Sequence, residues 1–238
     1  MPESTLTAIL ADMAASGDPD RAAGAKAYMK SDLAFYGLKK AEIDAFARRF
    51  YAAHRKLSAE DVIRTVDGLM VSTNFDEISL GVVIARLYWK AFDASHLDSA
   101  WRPWFDACTS WAHCDELATR GAGMIVQKYP DEGIPTSYRW RKSEHLWTRR
   151  ASMLCHFPLI RAGAARVDVL LDTFDALADE DEFFIQKAIG WMLRSKGDYG
   201  YAEDAIRFMV ANRDRLSRLA LREGSRKLPE ADQARVMG

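Results

Sequence analysis

The sequence is poor in cysteine, in long apolar runs and in net charge, and each shortage removes a class of protein. Only Cys108, Cys114 and Cys155 occur among 238 residues, an odd number with no CxxC pair. That count favours reduced thiols in a cytosolic protein over a disulfide framework. No apolar stretch approaches the roughly 18–20 residues that a membrane span needs. The chain does not open with a basic segment followed by an apolar run, so no secretory signal is expected and the cytoplasm is the expected compartment. Its five histidines, His54, His96, His113, His145 and His156, are scattered without HExxH or a comparable ligand spacing, so no metal is expected. GxGxxG and a phosphate-binding P-loop are also missing, and no cofactor is expected.

Net charge is −1, so no global basic bias announces a nucleic acid. The halves differ, however. Residues 1–119 hold 13 Lys and Arg against 17 Asp and Glu, and residues 120–238 hold 20 against 17, giving −4 and +3. A local basic face is compatible with such a balance.

What is present is helical periodicity, with almost no strand alternation. Helices are expected at about 3–15, 19–30, 39–55, 59–71, 74–92, 97–109, 111–129, 133–142, 145–163, 165–178, 181–196, 200–211 and 214–227. Asp18-Pro19 supplies an N-cap followed by proline at the first helical position, and Ser58-Ala59-Glu60-Asp61 reads as a capping start. The helix carrying Val82, Leu87 and Phe92 is apolar nearly all round and is expected to be buried on most sides. Short helices stacked in order fit an α-solenoid of HEAT-like repeats over a single domain, residues 1–238. A compact bundle is the competing arrangement.

Three segments carry candidate chemistry. In Ser110-Trp111-Ala112-His113-Cys114-Asp115, an indole and a carboxylate stand four residues apart. On a helix they share a face, and an indole beside an anion suits a cationic partner. In Leu146-Trp147-Thr148-Arg149-Arg150-Ala151, two guanidiniums follow an aromatic, and arginine donates bidentately to phosphate. In the segment from Phe183 to Arg194, Phe184, Ile185, Ala188, Ile189 and Met192 make an apolar face. Lys187, Trp191 and Arg194 make a separate stripe of cation, indole and cation. The bland readings are a core tryptophan with a surface aspartate, a solvated helix end, and cations snorkelling beside an inward Trp191. A C-terminal stripe of Arg213, Arg215, Arg218, Arg222, Arg226 and Lys227 is either a DNA-backbone contact or a solvated face.

These segments, with Tyr28-Met29-Lys30 and above all Phe183-Phe184-Ile185-Gln186-Lys187-Ala188-Ile189-Gly190-Trp191, resemble the AlkD-type alkylpurine DNA glycosylases of the HEAT-like DNA alkylation repair group. The resemblance covers nearly the whole chain. It implies a concave DNA-binding face, with Asp115 as the catalytic aspartate and Trp111 and Trp191 flanking the deoxyribose of the lesion. It further implies that Arg150 holds the DNA backbone and that Tyr28 lies beside the same cleft. Lys187, Arg194 and Arg149 are candidate DNA contacts, although the resemblance carries no role onto Arg149. Ala112-His113-Cys114 departs from a more aromatic and acidic stretch in relatives.

The implied activity is monofunctional excision of cationic N3- and N7-alkylpurines, 3-methyladenine and 7-methylguanine, from duplex DNA without base flipping. The expected partner is alkylated double-stranded DNA, with no membrane and a monomeric protein. The alternatives are a non-catalytic HEAT-like protein that binds branched or damaged DNA, and a protein-interaction scaffold.

Overall fold

The computed structural model describes residues 2–238, with 197 and 198 described as helix backbone only. Regular structure among them is helical, apart from one isolated parallel bridge between Ala34 and Asn74. The fold is all-α and of HEAT-like repeat type. Two compact units divide the chain, Met1–Gly121 and Ala122–Gly238.

The first unit contains α1 (Pro2–Ala15), α2 (Pro19–Met29), α3 (Lys40–Ala53), α4 (Ala59–Met70), α5 (Phe75–Leu87), α6 (Arg102–Asp106) and α7 (Trp111–Leu117). Helices α3, α5 and α7 pack in succession, and α4 covers α5. The starts of α2, α4 and α5 are written in short polar side chains. Asp18 caps α2 through the Arg21 amide at 3.0 Å, Ser58 caps α4 through the Asp61 amide at 3.2 Å, and Asn74 caps α5 through the Asp76 amide at 2.9 Å. Each cap contributes about 1 kcal/mol. As its apolar composition demands, α5 buries Ile78, Leu80, Val82, Val83, Ile84 and Ala85. Phe92, Trp101 and Trp104 form an edge-to-face cluster with centroids 5.0–6.0 Å apart. Each such ring removes about 150–250 Å² from water, worth about 4–6 kcal/mol before entropy is counted.

The second unit contains α8 (Gly123–Lys128), α9 (Pro130–Arg139), α10 (Leu146–Leu154), α11 (Phe157–Arg161), α12 (Val167–Leu177), α13 (Phe183–Asp198), α14 (Ala202–Ala211), α15 (Arg218–Ser225) and α16 (Glu230–Met237). Here α10, α13 and α15 pack in succession around Leu154, Ile189, Leu193 and Leu221.

Three of the departures from the expected elements can be traced to particular residues. The single helix expected over 145–163 is two, because Pro158 has no amide hydrogen and its ring collides with the carbonyl four residues back. The helix expected over 111–129 is interrupted by a π-turn at Ala118–Ala122. There Gly121 lies against the Trp101 indole, where a Cβ would come within 2.2 Å of the ring. The expected elements end at 227, whereas Pro229 starts a further helix, α16.

Candidate functional site

Helix α7 begins at Trp111 because Ser110 turns its hydroxyl onto the Ala112 amide at 3.1 Å. From this first turn the side chains diverge. Cys114 and Leu117 enter the core, whereas Trp111 is 36% exposed and Asp115, one turn later, is half-buried. The i to i+4 spacing therefore does place indole and carboxylate along one face of a helix.

Two sets of contacts hold that turn. Glu116, beside Asp115, pairs with Arg86 of α5 at 3.0 Å and lies 3.6 Å from Lys40 of α3. Asp44 shares both cations, at 2.7 Å from Lys40 and 3.2 Å from Arg86. His113 is fully enclosed, with Nε2 2.8 Å from the Ser79 hydroxyl and its ring 4.2 Å from that of Phe75. Burial pushes its pKa down to about 4, so the imidazole is neutral at ordinary pH. Cys114 beside it is interior as well, so the two offer no accessible nucleophile. The Cys108 thiol is pushed well up by burial first and then by the Asp115 and Asp106 carboxylates.

Tyr28, also in the first unit, is 75% exposed near the end of α2. The following loop is fastened to α5. Asp76 accepts the Tyr36 and Gly37 amides at 2.8 and 2.9 Å, and Phe35 stacks on Phe75 at 4.7 Å. Gly37 has φ +80°, and a Cβ there would fall 2.3 Å from the Asp18 carbonyl oxygen, so the loop closes only with glycine.

In the second unit, Arg150 is almost completely buried, and its guanidinium donates to the Phe184 carbonyl at the start of α13. Arg149 donates to Glu180 at 3.1 and 3.2 Å and to the Ser143 and Glu144 carbonyls, both at 2.9 Å. Its fork thus ties the start of α10 to the turn before α13. The apolar face of α13 is as expected: Ile185, Ala188, Ile189 and Met192 are buried. The separate stripe resolves into different roles. Lys187 is exposed, its ammonium 5.5 Å from the centre of the Phe183 ring. Trp191 is partly exposed against Phe157 at 5.6 Å. Arg194 is paired with Glu223 of α15.

The C-terminal cations divide likewise. Arg213 donates to the Val236 and Arg235 carbonyls and holds α16, and Arg215 grips Asp175 and Asp179. Arg218, Arg222, Arg226 and Lys227 are exposed. The sequence does not single out Phe157, the partner of Trp191, because the two rings meet between separate helices, α11 and α13.

Thus Trp111, Asp115 and Tyr28 belong to the first unit, and Arg149, Arg150, Lys187, Trp191 and Arg194 to the second. Among the described residues no cluster of His, Cys, Asp or Glu is arranged to hold a metal, and no helix is long and apolar enough to cross a membrane.

No curated protein matches the chain. A solved structure described as a predicted DNA alkylation repair enzyme from Enterococcus faecalis is similar in fold, with a TM-score of 0.79 at 24% identity. The match covers 90% of this chain and 97% of that one. The family model for DNA alkylation repair enzymes matches residues 9–228, running across both units. With nearly the full length accounted for by that model, the chain belongs to the DNA alkylation repair enzyme family.

Proposed function

We propose that the protein is a monofunctional DNA glycosylase that hydrolyses the N-glycosidic bond of cationic N3- and N7-alkylpurines in duplex DNA. It acts as a monomer in the cytoplasm, at the nucleoid, without extruding the base. The observation that carries this reading is the first turn of α7. A partly exposed indole and a half-buried carboxylate lie on one helix face there, held by the Arg86–Glu116 pair, in a chain of the alkylation repair family.

The chemistry follows from charge. Alkylation at N3 or N7 makes the purine a cation, so the base leaves with little need of protonation. Bond cleavage transfers positive charge to the sugar, and a fixed carboxylate stabilises that oxocarbenium-like centre and orients the attacking water. Indole faces beside the sugar add cation–π attraction as the charge develops, the role proposed for Trp111 and Trp191. Arg150, buried and bonded to the Phe184 carbonyl, is proposed to fix the phosphate backbone near the lesion, and the exposed Tyr28 is proposed to meet DNA. Of the other cations, the exposed Lys187 suits phosphate best, whereas Arg149 and Arg194 already hold carboxylates.

Release of 7-methylguanine and 3-methyladenine from alkylated DNA tests the proposal. Wild type is expected to release them and Asp115→Asn to lose at least a hundredfold in rate, comparable to losing one charge-stabilising group at other sites, about 10²–10³. No release by wild type, or full release by Asp115→Asn, removes the reading. Tight binding of damaged DNA with no release would mark a non-catalytic binding protein instead.

A further inference from the structure

We propose that His113 is a positioning residue for Trp111 and Asp115, acting through Ser79 and Phe75 to set the first turn of α7; the inference rests on the glycosylase reading for its kinetic arm only. Three observations converge on this side chain. His113 lies between the proposed sugar-facing residues in sequence and points the opposite way, into the core. It is gripped from two directions by one helix, because Phe75 and Ser79 stand one turn apart on α5, offering a ring at 4.2 Å and a hydroxyl at 2.8 Å. The Ser79 hydroxyl donates to the Phe75 carbonyl at 2.9 Å, which leaves its oxygen lone pairs for an imidazole N–H at Nε2. The hydrogen-bond network thereby selects the Nε2–H tautomer.

The clamp extends beyond α5. Phe75 carries Phe35 on its ring at 4.7 Å with an interplanar angle of 16°, and the backbone beside Phe35 is bonded to the same helix start, Phe75 amide to Ala34 carbonyl at 2.8 Å. The loop after Tyr28, the start of α5 and the start of α7 are therefore linked through Phe35, Phe75 and His113. A shift of one ring here rotates the turn that bears Trp111 and Asp115. Misplacement by about 1 Å costs on the order of a hundredfold in rate where catalysis depends on orientation.

Four variants decide it: Ser79→Ala, His113→Phe, the double variant, and His113→Gln, which restores a side-chain amide donor toward Ser79. Single-turnover excision from alkylated DNA is expected to fall about ten- to a hundredfold in each of the first two, with DNA dissociation constants changed less than twofold. The double variant is expected to be no slower than the slower single, and His113→Gln to recover part of the loss. Unchanged single-turnover rates, or losses that multiply in the double variant, overturn the proposal.

A second readout does not depend on excision. With 5-fluorotryptophan in all seven tryptophans, the ¹⁹F signal assigned by Trp111→Phe is expected to shift in Ser79→Ala, while those of Trp147 and Trp191 stay in place. A Trp111 signal that does not move, or a shift of every signal, overturns the proposal even if wild type releases no base. Absence of release by wild type with a selective Trp111 shift instead removes the glycosylase reading and leaves the positioning role standing.

Discussion

Gly190 of α13 lies against Ala220 of α15 with no room for a side chain: a Cβ on Gly190 would sit 2.7 Å from the Ala220 carbonyl oxygen and 2.8 Å from the Glu223 Cβ. The obstacle is mostly backbone, so it cannot swing aside. Gly190→Ala is therefore expected to cost about 1–3 kcal/mol by overpacking, read as a lower melting temperature. Because Trp191 is the next residue, the variant is also expected to lose excision activity at temperatures where it remains folded.

Arg149 and Lys187 separate a structural cation from a proposed DNA contact. Arg149 already satisfies Glu180 and two carbonyls, whereas Lys187 is exposed. Lys187→Ala is expected to lower the slope of log affinity against log salt by about 0.9, the value for one phosphate. Arg149→Ala is expected to leave that slope unchanged and to lower stability instead. Fluorescence-anisotropy titrations at several salt concentrations distinguish the two.

Arg150 is buried with its guanidinium on the Phe184 carbonyl. Arg150→Ala removes that charge-assisted hydrogen bond, at a cost of about 1.5–3 kcal/mol. Arg150→Lys keeps the charge but not the planar fork, and is expected to recover stability only in part. Paired denaturant melts and excision rates measure both effects.

Stability is expected to fall in mild acid. Burial holds the pKa of both His113 and His156 at about 4, below the ordinary 6.5 of an unfolded chain. Between those values the unfolded chain binds protons that the folded chain does not, so their contribution is complete above about pH 6.5 and is lost as pH drops toward 4. Melting temperature against pH should slope downward across that window. In His113→Phe, one of the two groups is gone, and the slope there should be shallower.

Much of this was legible in local sequence. Asp18-Pro19 and Ser58 mark real helix starts, and the spacing of Ile185, Ala188, Ile189 and Met192 gives the buried face of α13 directly. The Trp111/Asp115 pair was legible for the same reason, since both lie within one regular helix. Long-range pairing was not. Arg149 meets Glu180 across 31 residues and Arg194 meets Glu223 across 29, and no local pattern tells a paired arginine from a free one. The π-turn after Asp115 depends on the Trp101 indole seated at Gly121, again a tertiary cause. Pro158 is different: the break it causes was there to be read, and a continuous helix over 145–163 disregards it.

The three thiols have a chemical consequence in a family that deals with alkylated DNA. Soft electrophiles react with thiolate rather than thiol, and only where they can reach it. Cys108, Cys114 and Cys155 are all interior, and burial pushes the first and last far above the ordinary thiol range. Cys108 and Cys155 are thus kept protonated, and all three sulfhydryls are held out of reach of methylating agents of the kind that damage DNA bases.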